Sequence, residues 1–249
     1  GKSRRRGWAV KPFYERGGIV LYHGDCLEML PKLPRESVHL LLTDPPYGVG
    51  YVRTGRALGD FGPIAGDDTA EAGRLGIDAA VPALKRRRQA NVFGPFDLAS
   101  NPLLESPYEL IWDKVMLGPP RTGAFTTSHE RIACAQRKVS GGDKAVSGTA
   151  LARVRRGSVL RYQRPNALGV TRHPTEKPVP LLRELIECAT QFGETVLDPF
   201  AGSGSTLVAA YLEGRKAIGM ELEERYCEVA AKRLDAAMAQ GTFDLGGLA

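Results

Sequence analysis

The sequence predicts a doubly wound α/β fold, a largely parallel sheet with helices on both faces, and three observations predict it. Short apolar, β-branched runs, "GIVLYHGD" and "VHLLLTD", each end at an acid, as buried parallel strands delivering side chains to the carboxyl edge of a sheet do. The segment "ETVLDPFAGSGSTLVAAYLEGRKAIGMELEERYCEVAAKRLDAAM" reads in order as strand, glycine turn, helix, strand and helix, which is a βαβ unit. At 249 residues and 43% hydrophobic content, the chain is long enough to bury one large α/β core.

The remaining elements follow in order. "CLEMLPKLP" between the first two strands makes a short helix stopped by proline, and a helix is expected over "DTAEAGRLGIDAAVPALKRRR", interrupted near Pro82. "ANVFG" and "YELIWDKV" read as two further strands, and "ERIACAQRK" as another apolar segment. In "HPTEKPVPLLRELIECATQFG", Leu181, Leu182, Leu185, Ile186 and Ala189 recur at helical spacing, with Pro178 and Pro180 at the opening and Gly193 at the close. The final "GTFDLGGLA" reads as a tail.

The formal net charge of +6 is regional: between Arg131 and Arg172 stand ten Lys/Arg against one acid, Asp143, so the rest of the chain is net acidic. Arg153, Arg155, Arg156, Arg161 and Arg164 with interspersed glycines suit a surface that tracks phosphates, and a solvated face would look the same. "KRRR" at 85–88 and the N-terminal "KSRRR" read as solvated helix ends or tails that could add to it. No apolar run reaches about eighteen residues and no signal-peptide core follows the basic start, so the reading is cytoplasmic, with no membrane span. Four scattered cysteines without a C-x-x-C pair and four histidines without ligand spacing argue against disulfides and a metal.

Two turns carry chemistry. In "TDPPYG" the prolines account for a tight turn, but not for Asp44 and Tyr47 beside Pro45 and Pro46. In "VLDPFAGSGST" the chain leaves a strand at Asp198 and enters a helix near Thr206, with Gly202 and Gly204 allowing backbone N–H groups to approach a ligand. The turn ends Gly-Ser-Thr without the lysine that a nucleoside-triphosphate loop uses for its phosphates. Glu221 ends the next strand, where an acid receives ribose hydroxyls in dinucleotide folds, yet Asp198 would repel a pyrophosphate. An ammonium group, ribose hydroxyls and no phosphate describe S-adenosylmethionine (AdoMet).

Together, "TDPPYG" and "LDPFAGSGST" resemble the amino-methyltransferases of DNA, which move a methyl from AdoMet to the exocyclic amine of adenine or cytosine. "GDCLEML" is similar to the family segment whose acid, here Asp25, meets the cofactor adenine; "ELIWDK" and "SHERI" match later sheet elements, and "HPTEKP" the block opening a cofactor-facing helix. With "DPPY" ahead of the glycine turn, the order resembles the β class, a circularly permuted form of the Rossmann-like AdoMet-dependent methyltransferase fold. The resemblance implies a single catalytic domain over 1–249, with a basic target-recognition region inserted at about 131–172.

It also implies roles. The Asp44 carboxylate and the Pro45 carbonyl would accept the amine N–H bonds, Pro46 would stiffen the turn, and Tyr47 would stack on a flipped base. Asp198 and the segment Phe200, Gly202, Ser203, Gly204 and Thr206 would hold the methionine part, Glu221 the ribose and Asp25 the adenine. Thr175 and Lys177 would hold the cofactor carboxylate, although a lysine at a helix start is ordinarily solvated. His173 is expected in a turn and Trp112 in the core. Asp rather than Ser before Pro-Pro-Tyr resembles the adenine-modifying members; cytosine N4, RNA or a protein amide as acceptor, and an idle DNA-binding relative, stay open. Double-stranded DNA is the expected partner, and a homodimer and a cognate restriction nuclease stay open.

Overall fold

Period-two burial organises the chain in the computed structural model, which describes residues 11–46, 70–115, 127–139, 156–165 and 176–245. The strands are β1 Tyr14–Arg16, β2 Ile19–His23, β3 Val38–Thr43, β4 Leu84–Phe93, β5 Leu104–Asp113, β6 His129–Arg137, β7 Val159–Arg161, β8 Thr195–Asp198 and β9 Lys216–Glu221. The helices are α1 Cys26–Met29, α2 Ala70–Ala80, α3 Val179–Ala189, α4 Ser205–Leu212 and α5 Glu224–Leu245. Among the described residues the strands form one sheet in the order β1-β2-β9-β8-β3-β4-β6-β5-β7. β2, β9, β8, β3 and β4 pair in parallel. β6 runs antiparallel between β4 and β5, β1 is an antiparallel edge and β7 lies parallel to β5.

Alternate residues of each strand feed opposite cores. Leu40, Leu42, Ile132, Cys134 and Val196 pack with the apolar faces of α3, α4 and α5. Leu41, Ala133, Ala135 and Leu197 pack with α1 and α2. On α3 the predicted stripe, Leu181, Leu182, Leu185, Ile186 and Ala189, is buried throughout, each leucine contributing about 2 kcal/mol. Trp112 is in the core, its indole N–H donating to the Tyr162 carbonyl at 2.7 Å.

The structure corrects the sequence reading in several places. The helix expected through "KRRR" ends at Ala80; a 3-10 turn over Val81–Ala83 follows and β4 begins at Leu84. Pro82 supplies no N–H, and fully buried Leu84 anchors the strand. The four basic residues are therefore strand residues at the amino end of the sheet, not a solvated helix end. Lys85 Nζ lies 2.9 Å from His39 Nε2, Arg86 donates to Glu36 at 2.9 Å and Arg88 pairs with Glu194, so this cluster does not extend a surface at the carboxyl edge.

The basic stretch at 131–172 is not set apart from the sheet in its described portions: 131–137 belong to β6 and 159–161 form β7. In β7 the three residues alternate exposed, buried and exposed, whereas β6 buries Ile132 to Ala135 in succession. α3 ends at Ala189, ahead of Gly193, which takes φ +76 in the following turn. α5 continues to Leu245, so 241–245 of the expected tail are helical. Tyr47, Arg153, Arg155, His173 and Thr175 lie outside the described residues, as does the N-terminal "KSRRR".

Candidate active site

Because β2, β9, β8, β3 and β4 are parallel, their last residues share one rim. Asp25 follows β2, Glu221 ends β9, Asp198 ends β8 and Asp44 follows β3, in that spatial order. Three inter-strand spacings, ~14 Å, separate the first strand of this row from the last. Gly24 donates to the Glu221 carbonyl at 2.8 Å, and Asp25, exposed, caps α1 by accepting from Leu27 N at 2.8 Å.

The two turns singled out in the sequence meet directly. β3 and β8 are neighbours, with Leu41 opposite Leu197, and the Thr43 hydroxyl donates to Asp198 Oδ1 at 2.7 Å. Helix α2 covers both turns. Glycine inside a helix costs about 1 kcal/mol against alanine, and α2 has two, Gly73 and Gly76, on one face. A Cβ on Gly73 would strike the Pro46 carbonyl and crowd Pro45; one on Gly76 would strike the Phe200 ring.

The glycine turn differs from the expectation of outward N–H groups. Phe200 N donates to Asp198 Oδ1 at 3.1 Å, Ala201 N to Met220 O at 2.8 Å, Gly202 N to Glu221 Oε2 at 2.8 Å and Gly204 N to Ala201 O at 2.8 Å. With those donors turned inward, the turn is no phosphate cradle. Gly204 takes φ +80, and a Cβ there would strike Ala230 of α5. Asp198, 2% exposed, also has Thr206 on its carboxylate, and burial raises its pKa against these donors. It is the post to which both turns are tied. Glu221 accepts from Gly202 and from Glu223 N at 2.8 Å, one N–H per oxygen, which leaves each oxygen acceptor capacity for a hydroxyl. Burial raises its pKa as well.

Asp44 stands at the centre of the charges. Burial pushes its carboxyl up to about 6; Lys177 works against that rise, while Glu130 and Asp198 add to it. Lys177 is not solvated: 7% exposed, its Nζ lies 2.7 Å from Asp44 Oδ2 and 2.9 Å from Glu130 Oε1. Asp44 Oδ1 is buried and has no hydrogen-bond partner among the described residues. Such an acceptor costs about 1–3 kcal/mol if left unmet, and an incoming N–H donor would satisfy it.

Sequence reasoning missed Glu130, Glu176 and Arg233. Arg233 of α5 donates to the Ser203 carbonyl at 2.8 Å, Ser203 Oγ at 2.7 Å and Ser205 Oγ at 3.0 Å, and pairs with Glu176 at 2.6 Å. Adjacent residues of "HPTEKP" thus serve both turns, Glu176 the glycine turn through Arg233 and Lys177 the Asp-Pro-Pro turn. Glu130 sits in the quoted "SHERI", but nothing local marks it as a partner of Asp44. Burial pushes the Cys26, Cys134 and Cys227 thiols up to about 12, so none of these three is a thiolate at neutral pH.

A largely parallel sheet with two antiparallel strands, β1 at one edge and β6 between β4 and β5, an acid-bearing glycine turn and a neighbouring Asp-Pro-Pro turn define a Rossmann-like methyltransferase architecture. The DNA methylase family model of N6/N4 type matches residues 105–232, and the chain belongs to this family. The methylase YubD of Escherichia coli K12, described as putative, is 34% identical over 224 residues, covering 88% of this chain and 92% of its own. The DNA adenine methyltransferase YhdJ of the same organism is 29% identical over 248 residues, covering 88% and 83%. Among solved structures, the M1.HpyAVI–SAM complex superposes with a TM-score of 0.61 at 21% identity over 87% of this chain and 99% of that one. The cytosine-N4-specific PvuII DNA methyltransferase does so with 0.61 at 18% identity over 91% and 90%. At these identities the structural likeness speaks for the fold.

Proposed function

We propose that this protein methylates the exocyclic N6 amine of adenine in DNA, with AdoMet as methyl donor and the target base flipped out of the duplex. The observation supporting this reading is the Thr43–Asp198 hydrogen bond, which ties the turn that would accept the amine to the turn that would hold the cofactor.

AdoMet supplies an electrophilic methyl on a sulfonium. The residues present fit it: Glu221 has free acceptor capacity for ribose hydroxyls, exposed Asp25 stands one strand away for the adenine, and the inward-turned glycine loop suits a ligand without phosphate. Asp198 positions this cradle by fixing Phe200, Thr206 and Thr43.

On the acceptor side an exocyclic amine is a weak nucleophile because its lone pair is delocalised into the base. Asp44 Oδ1 and the Pro45 carbonyl would hold its two hydrogens, and Pro45 and Pro46 keep these acceptors aimed without reorganisation during reaction. Extrusion of the base costs a few kcal/mol, and stacking on Tyr47 would return ~1–3 kcal/mol. The proton released from the methylated amine passes towards Asp44 or water.

Adenine is favoured by the aspartate before Pro-Pro-Tyr and by the description of YhdJ as a DNA adenine methyltransferase. Cytosine N4 is the second reading, favoured by the fold shared with PvuII methyltransferase. Incubation of DNA, RNA and protein with methyl-labelled AdoMet, followed by nucleoside mass spectrometry, tests both: N6-methyladenine in DNA is expected, N4-methylcytosine selects the second reading, and label confined to RNA or protein, or none at all, overturns the proposal.

A further inference from the structure

Four charges from four separate sequence blocks line up behind the Asp-Pro-Pro turn. Asp44 follows β3, Lys177 precedes α3, Glu130 lies in β6 opposite Trp112, and Lys114 follows β5. Lys177 Nζ is 2.7 Å from Asp44 Oδ2 and 2.9 Å from Glu130 Oε1, and Lys114 Nζ is 2.9 Å from Glu130 Oε2. The row alternates in sign from Asp44 at one end to Lys114 at the other. Lys177 also lies 5.1 Å from the centroid of the Phe93 ring and Lys114 5.1 Å from that of Trp112, so aromatic faces complete the shell around both cations.

A buried ammonium with two carboxylates on it has no reason of packing to be there, since an apolar residue would fill the same space without desolvation cost. Its effect falls on Asp44. The geometry points to Lys177 as a positioning residue for Asp44: held by Glu130, it fixes the Oδ2 oxygen, so that Oδ1 is the oxygen left to receive the target amine. This rests on the methyl-transfer reading, and it assigns Lys177 to the acceptor side of the site instead of the cofactor carboxylate.

The groups facing Asp44 are Lys177 from the segment before α3, Glu130 from β6 and Asp198 from β8; Lys114 faces Glu130, with Arg164 adding positive charge near Lys114. Lys177 favours the carboxylate form of Asp44, whereas Glu130 acts on it twice in the other sense, by like-charge repulsion and by sharing the ammonium. Removing the cation and removing the second acid should therefore move Asp44 in opposite directions, and the acid limb of methyl transfer should follow, which a pair serving stability alone would not produce.

The test combines a carbon-13 carboxyl NMR titration of Asp44, a pH–rate profile for methyl transfer to DNA and the AdoMet dissociation constant, in the wild type, Lys177→Met, Lys177→Arg and Glu130→Gln. Lys177→Met should raise the Asp44 midpoint, and the acid limb of the rate with it, by ~1–3 pH units, and Lys177→Arg should restore it to within ~0.5 unit. Glu130→Gln should lower it by roughly 0.5–1 unit, with AdoMet affinity in all variants within about threefold of wild type. A midpoint unmoved in both Lys177→Met and Glu130→Gln overturns the inference; so does an AdoMet affinity more than about tenfold weaker in Lys177→Met with the midpoint unmoved, which would return Lys177 to the cofactor. If Lys177→Met does not fold, Glu130→Gln decides by the direction of its shift: a midpoint unmoved or raised overturns the inference. A wild type that transfers no methyl would refute the methyl-transfer reading, while the NMR titration still decides the role of Lys177.

Discussion

Asp44 shows how one carboxylate can be kept reactive inside a protein. Its carboxyl is pushed up to about 6 by burial, so a fraction is protonated in mildly acidic solution, and only the ionised form offers Oδ1 as an acceptor while Oδ2 faces the Lys177 ammonium. Methyl transfer should therefore be level above pH 7 and fall about tenfold per unit below pH 6; a profile flat to pH 5 would detach Asp44 from the chemistry. Asp44→Ala should lower the transfer rate by ~10²–10³-fold, the scale of a lost preorganised contact, with AdoMet affinity measured by calorimetry little changed. Glu221→Ala should do the reverse in emphasis, weakening AdoMet binding by one to two orders of magnitude, roughly the loss of hydroxyl contacts and of the Gly202 and Glu223 anchors.

At the scale of elements, α2 is the piece that registers one turn against the other. Its two glycines give up about 1 kcal/mol each in helix propensity to let Pro46 and Phe200 come against the helix axis. Gly73→Ala and Gly76→Ala should each lose ~1–3 kcal/mol of stability through overpacking, read as a lower melting temperature, although alanine is the better helix former. A rise in melting temperature would show that neither turn is held by α2. The same logic explains the misread β4. Helical propensity carried the expectation through Lys85–Arg88, but the strand wins because Leu84 and residues 90–93 are buried in the sheet and acids stand at the amino edge to take the arginines.

For the whole molecule, the parallel strand ends put Asp25, Glu221, Asp198 and the Asp-Pro-Pro turn on one edge, and β7 extends that edge beyond β5. Arg161 of β7 is 76% exposed beside Asp113, and Arg156 lies 3.5 Å from Glu184 at 51% exposure, so both are open to an incoming polyanion. Replacing Arg156, Arg161 and Arg164 by glutamine should weaken DNA binding and reduce the slope of log K against log salt by up to ~2.7, about 0.9 for each lost phosphate contact. A slope equal to that of the wild type would make this edge an ordinary solvated surface.

The sequence by itself determined the strands that end in acids, the helix over Val179–Ala189 and the chain order of the two turns, because period-two and period-3.6 patterns and glycine or proline punctuation are local signals. Only the tertiary structure decided that Lys177 and Glu130 meet Asp44, that Asp198 ties the turns together instead of standing open, that the glycine-turn N–H groups face inward, and that Arg233 clamps Ser203. Each depends on which strands and helices are neighbours, and burial then compels every charge to find a partner there, which is a property of adjacency in space that no spacing along the chain records.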